Sequence, residues 1–199
     1  MNVRKLITSL VLLLPAFAGA QVLDIEVTGV AQPTPVAIVP FGWEGASDSS
    51  SLKTMVSTVI TADLRRSGRF DPVGEDRMLQ KPTDGADLDF QDWGFVGVEA
   101  VVVGKLIQTA DNQFTLQFQL FDVVGRRQLL GYRMPRVTRA TMRGAAHRAA
   151  DMIYEKLTGI QGVFSTKVAY VTAKQQGSGR LYSLVVADHD GFNQHTIME

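Results

Sequence analysis

The chain has 199 residues, 45% of them hydrophobic and 20% charged, with Lys plus Arg equal to Asp plus Glu and no Cys. That composition supplies a buried core and argues against a disordered chain, while the lack of a basic surplus argues against nucleic acid as a partner. The absence of Cys excludes a disulfide framework, a thiol nucleophile, thiolate zinc sites and an N-terminal lipoprotein anchor.

Arg4 and Lys5 precede an apolar run from Leu6 to Leu14, followed by Pro15 and Ala18-Gly19-Ala20. A positive start, a short apolar stretch and an A-x-A end predict a secretory signal peptide over residues 1–20, cleaved after Ala20. A membrane anchor would need about 18 or more apolar residues, and Thr8, Ser9 and Pro15 interrupt this run. Nothing later looks transmembrane, so the expected product is soluble, in a bacterial periplasm or outside the cell. Residues 21–34 predict an extended arm, weakly alternating and broken by Gly29 and Pro33. Val36 to Val39 is an apolar, mostly β-branched run that only a strand buried on both faces needs.

Asp48 to Ser51 offer N-caps for an amphipathic helix carrying Leu52, Met55, Val56, Val59, Ile60 and Leu64, ended by Ser67-Gly68. Phe70 to Val73 predicts a short strand, Glu75 to Gln80 a helical turn, and Leu88 to Trp93 a second short helix among Asp84, Asp87, Asp89 and Asp92. Glu99 to Ile107 predicts a central strand. After a turn at Asp111-Asn112, Phe114, Leu116, Phe118 and Leu120 alternate with Thr115, Gln117 and Gln119, which predicts one core face and one wet face. Gln128 to Arg133 predicts a third strand of this meander. Thr138 is the expected cap of a long helix with the stripe Met142, Ala145, Ala146, Ala149, Met152, Ile153 and Leu157, closed by Gly159.

These elements predict an α/β fold over 35–162, with two amphipathic helices on a mixed sheet as an α/β sandwich. From Lys167 the pattern changes. Strands at Lys167 to Thr172, Leu181 to Ala187 and Phe192 to Met198, with a polar loop at Gln175 to Gly179, predict one sheet of a repeat architecture over 163–199. One such sheet cannot close alone, so the chain is expected to stop inside a longer protein.

Candidate chemistry is sparse. There is no G-x-S-x-G, Gly104-Lys105 is not a phosphate loop, and Gly94 with Gly97 is not a dinucleotide fingerprint, so no catalytic or cofactor-binding residue is assigned. The aspartates of 84–92, and Asp188 and Asp190 beside Gly191, lack the spacing of a calcium loop and are assigned to turns, with no metal expected. His147 lies about 140° round its helix from Met142, on a face shared with Arg143, Asp151 and Tyr154. The first expectation for that face is solvent; the second is packing against the strand-rich region, as an inter-domain face.

Several segments together carry a resemblance. They are Pro35 to Phe41 (PVAIVPF), Leu64 to Phe70 (LRRSGRF), Gly97 to Lys105 (GVEAVVVGK), Leu120-Phe121-Asp122, Ala146 to Asp151 (AHRAAD), Tyr154 to Gly159 (YEKLTG), Gly162 to Val171 (GVFSTKVAYV), and Asp188, Asp190-Gly191 and Asn193. In this order, behind a signal peptide and an arm, they resemble the TolB family of periplasmic β-propeller proteins of the Tol-Pal system. The resemblance implies a first domain similar to the anticodon-binding domain of some tRNA synthetases, followed by a β-propeller of which 163–199 would hold the first strands. It implies that the arm, Gln21, Val22, Leu23, Asp24, Ile25, Glu26, Val27, Thr28, Gly29 and Val30, binds TolA, and that the propeller binds the lipoprotein Pal. Asp24 and Glu26 place charge where that family's arm accepts an apolar residue. An arm of this kind can add a strand to a partner's sheet edge, and docking it on its own protein would make a switch hinged at Gly29, Pro33 and Pro35. The expected function is a non-catalytic scaffold in the periplasm, supporting outer-membrane integrity and cell division. The alternatives are an exported propeller-bearing peptidase or other hydrolase with its catalytic domain beyond residue 199, and, more weakly, a small-ligand-binding domain.

Overall fold

The Val36 to Val39 run lies in the interior of the first sheet, between an edge strand and the central one. In the computed structural model, which describes residues 32–46 and 50–199 and Ser50 by its backbone alone, β1 spans Thr34–Ile38. All four residues of the run are at most 4% exposed. The signal peptide, arm residues 21–31 and the cap candidates Asp48 and Ser49 lie outside the described residues.

β1 runs parallel to two neighbours, β3 (Phe70–Pro72) and β4 (Ala100–Ala110), and β2 (Gly42–Glu44) continues its line along the same edge of β4. β4, β5 (Gln113–Asp122) and β6 (Arg127–Val137) then form an antiparallel meander. The order β3-β1-β4-β5-β6 makes a mixed sheet, parallel where helices cross over and antiparallel where tight turns suffice.

Alternation along β1 divides the core. Val36 and Ile38 join α1 (Ser50–Arg66) and α3 (Met142–Thr158) in one cluster, whereas Ala37 and Val39 join Val101, Val103 and Trp93 of α2 (Phe90–Val96) in another. The stripe of α1 (Leu52, Val56, Val59, Ile60, Leu64) is buried, as is that of α3 (Met142, Ala146, Ala149, Ile153). Each large side chain so buried contributes about 1.5–3 kcal/mol. Among the described residues no helix is long and apolar enough to cross a membrane.

Local differences from the sequence expectations have local causes. The short helix is Phe90–Val96 rather than 88–93, because Asp89 is its cap, accepting from the Gln91 amide at 2.8 Å, while Asp84 caps the preceding single turn. The cap of α3 is Thr141 rather than Thr138; the two threonines instead exchange hydrogen bonds across the turn. β6 continues to Val137, twice shifting its register against β5. The face of β5 expected to be wet is covered: Thr115 is 3% exposed, Phe121 packs under α2, and Gln119 accepts from the Gly85 amide.

At the β5–β6 turn, Asp122 accepts from the Gly125 amide at 2.8 Å, and this bond, opposed by partial burial and assisted by Arg127, holds its carboxyl below the usual range. A depressed folded value means stability that is present above the unfolded value near 3.8 and is lost as pH falls through the folded one. Urea midpoints of the parent chain and Asp122→Asn should therefore differ at neutral pH and converge below about pH 4; a gap that stays constant to acid would disprove the charge contribution.

The second sheet is an antiparallel meander of β7 (Lys167–Gln176), β8 (Gly179–Asp188) and β9 (His195–Met198). β7 runs on through Gln175 and Gln176, expected as loop, because their backbones complete the ladder with Arg180 and Gly179. The meander leaves Val168, Val171, Tyr182 and Ile197 exposed.

Candidate functional site

The face of α3 that carries Arg143, His147, Asp151 and Tyr154 meets three other segments: α1, the linker after Gly159, and the β8–β9 turn. Arg143 pairs with Asp190 and lies over the Phe192 ring at 4.1 Å. His147 Nδ1 is 2.6 Å from Asp63 Oδ2 of α1. Asp151 accepts from the amides of Phe164, at 2.6 Å, and Ser165, at 3.0 Å. The Tyr154 ring stands edge-on to both Phe70 and Phe164.

The linker reaches α3 through two glycines. Gly159 ends the helix in the left-handed conformation, at φ 73°. Gly162 lies so close to Asp151 that a Cβ there would stand 2.6 Å from its Cα, which fixes glycine at that position.

The solvated-face expectation for His147 is corrected. The residue is 2% exposed, because Asp63, also buried, and His189 close over it, the two imidazoles edge to face at 4.9 Å. Arg66 balances the charge of Asp63, its Nη1 2.9 Å from Oδ1, and His189 Nε2 stands 3.3 Å from the same oxygen. Neither Asp63 nor His189 is among the residues singled out in the sequence. Asp63 had a signal, a carboxylate at helical spacing from Val56 and Ile60 inside an apolar stripe. His189 had none, since it reaches the cluster only through the turn.

Asp188 and Asp190 complete the site. Burial alone would raise both carboxyls, but Lys167 and Asn193 on Asp188, and the Phe192 amide and Arg143 on Asp190, hold them below the usual range. The pair does turn chemistry as well, the Phe192 amide donating to Asp190 Oδ1 at 3.1 Å. A groove of about 640 Å³ between β6, α3 and β7 opens beside the cluster, with Arg133, Arg136, Arg148 and Lys167 on its walls. The arm residues Gln21 to Val30 lie outside the described residues, so their place relative to this site is not part of the geometry.

The profile of the TolB amino-terminal domain matches residues 23–129. The Tol-Pal system protein TolB of Thioalkalivibrio sulfidiphilus is 45% identical over 197 residues, 97% of this chain and 44% of that protein. Its counterpart in Xanthomonas campestris pv. campestris is 40% identical over 193 residues, 96% of this chain and 43% of that protein. The crystal structure of TolB from Acinetobacter baumannii superposes with a TM-score of 0.71 at 32% identity, covering 85% of this chain and 39% of the other. The chain thus spans less than half the length of the curated relatives it matches. Matched by the domain profile over more than half its residues and by curated members almost from end to end, the chain belongs to the TolB family.

Proposed function

We propose that this protein is a non-catalytic scaffold of the Tol-Pal cell-envelope system, working in the periplasm after removal of residues 1–20. Its arm, Gln21 to Val30, binds TolA by strand addition, and the strand-rich region that β7–β9 belong to is part of a propeller that binds the lipoprotein Pal. Outer-membrane integrity and constriction at division are the processes it serves. The observation that carries this reading is the match to Tol-Pal TolB proteins over nearly the whole chain.

The physical argument agrees with it. A segment with partial alternation recognises an open sheet edge through main-chain bonds, with alternate side chains setting selectivity. The contacts of Arg143, His147, Asp151 and Tyr154 tie the first domain to the second sheet and its linker, so a partner on the strand-rich region meets a joint, not a loose tether. If Pal binding biases the arm between free and docked states, TolA binding must alter Pal affinity by the same factor.

The test is a calorimetric titration of residues 21–199 with the periplasmic part of TolA, repeated with a chain beginning at Thr34. Binding by the longer chain and its loss in the shorter one is the expected result. Equal binding by both would move the site onto the folded domain, and binding by neither would overturn the assignment of TolA to this arm.

A further inference from the structure

His147 is 2% exposed, yet among the described residues its Nε2 has no hydrogen-bond partner, and Asp190 Oδ2 stands 3.7 Å away. A carboxylate only accepts, so the bond of 2.6 Å to Asp63 takes a ring proton on Nδ1 and leaves Nε2 as the nitrogen whose lone pair can serve an ion. That lone pair faces the carboxylates of the β8–β9 turn: one ligand atom from each of His147, Asp188 and Asp190 lies within 4.8 Å of the others. We propose that His147 Nε2 and the carboxylates of Asp188 and Asp190 form a binding site for a divalent transition-metal ion of the zinc class, with Asp63 orienting the imidazole from outside.

Ligand chemistry supports this choice. One imidazole nitrogen and two carboxylates suit a borderline ion, and the fourth position would be left to water. Zinc bonds of about 2.0–2.2 Å in a tetrahedral shell place ligand atoms roughly 3.3 Å apart, so the separation of His147 from Asp190 needs to close by only a few tenths of an ångström. An outer carboxylate on the second ring nitrogen is the usual support of a metal-bound histidine, and Asp63 stands there. The neighbouring Asp63, His147 and His189 also lie within ligand reach of one another, but their present bonds disfavour an ion there. The Asp63–His147 separation of 2.6 Å is a hydrogen bond, too short for two ligands of one metal, and Arg66 Nη1 lies 3.0 Å from His189 Nε2.

The carboxylates have present partners, and these can yield. Lys167 and Asn193 are each 2.6 Å from Asp188 oxygens, while Arg143 and the Phe192 amide hold Asp190. Lys167 is 59% exposed and leaves into water at little cost; Arg143 keeps its seat on Phe192. Every carboxylate oxygen retains a second lone pair. The groove lined by His147, Asp188, Asn193 and Lys167 is the entry path. A bound ion would fasten α3 to the β8–β9 turn and stabilise that contact by mass action.

Zinc titration of the chelator-treated full chain by calorimetry, with the unfolding midpoint followed in parallel, tests the proposal. One zinc per chain and a raised midpoint are expected. Asp188→Asn and Asp190→Asn, which keep shape, should each weaken binding at least about tenfold, and Asp63→Asn by about 10- to 100-fold with circular dichroism unchanged. His195→Ala, on exposed β9, should leave binding intact. No zinc uptake, uptake that survives both Asn variants at β8–β9, or uptake lost in His195→Ala would each overturn the site.

Discussion

Replacing His147 by Ala should lower the unfolding free energy by about 3 kcal/mol. Two costs add. Asp63, 1% exposed, loses the donor to its Oδ2 at 2.6 Å, and a carboxylate cut off from water cannot replace it. The missing ring also leaves a void beneath His189, charged at about 24 cal/mol per Å³. The loss stays below the 3–5 kcal/mol range's upper end for a broken buried pair because Arg66 still holds Oδ1. In Asp63→Ala/His147→Ala the stranded charge is gone, so the double variant should lose at least about 1 kcal/mol less than the sum of the singles. Urea unfolding of the four chains measures both quantities. A single loss under about 0.5 kcal/mol, or strict additivity, would show that the pair is not coupled in the folded chain. Hydrogen exchange should also quicken in β8 and β9, whose turn loses its footing on α3.

This residue also marks where sequence reading stops. Val36 to Val39, the stripes of α1 and α3 and the hairpin at Asn112 were legible because each is a local pattern with a period of 2 or 3.6, or a turn residue with positive φ. The burial of His147 was not, because a helical wheel places a side chain relative to its own axis and says nothing about a partner 84 residues earlier in sequence. Asp63 could have been found as a charge on an apolar stripe. The contacts of Asp151 with the Phe164 and Ser165 amides leave no mark in composition at all, since any residue offers an amide. The second face of β5 was concealed for a related reason: Gln119 reads as polar and exposed, but its side chain satisfies the backbone of Gly85 beneath a segment that no periodicity announces.

That covered face predicts the largest packing effect. Trp93→Ala should cost about 4 kcal/mol, more than any other single truncation in the smaller core cluster. Trp93 is fully buried and is the largest side chain in the cluster that holds Ala37, Val39, Val101, Val103 and Phe121. It belongs to a helix of seven residues, far shorter than the length at which helices persist unaided, so α2 is held by docking and not by propensity. Removing the indole takes away the anchor, and the Asp89 cap and the Phe90–Phe121 ring contact have too little left to order the segment. Apolar surface on β1 and β4 then meets water. Trp93→Phe should cost far less, about 1–2 kcal/mol, because most of the volume stays and the indole Nε1, buried without a partner among the described residues, disappears along with its desolvation penalty. Denaturant unfolding of the two variants, with hydrogen exchange at Val101 and Val103, separates the cases. A loss below about 1 kcal/mol for Trp93→Ala, with exchange in β4 unchanged, would mean that α2 contributes nothing to that face of the sheet.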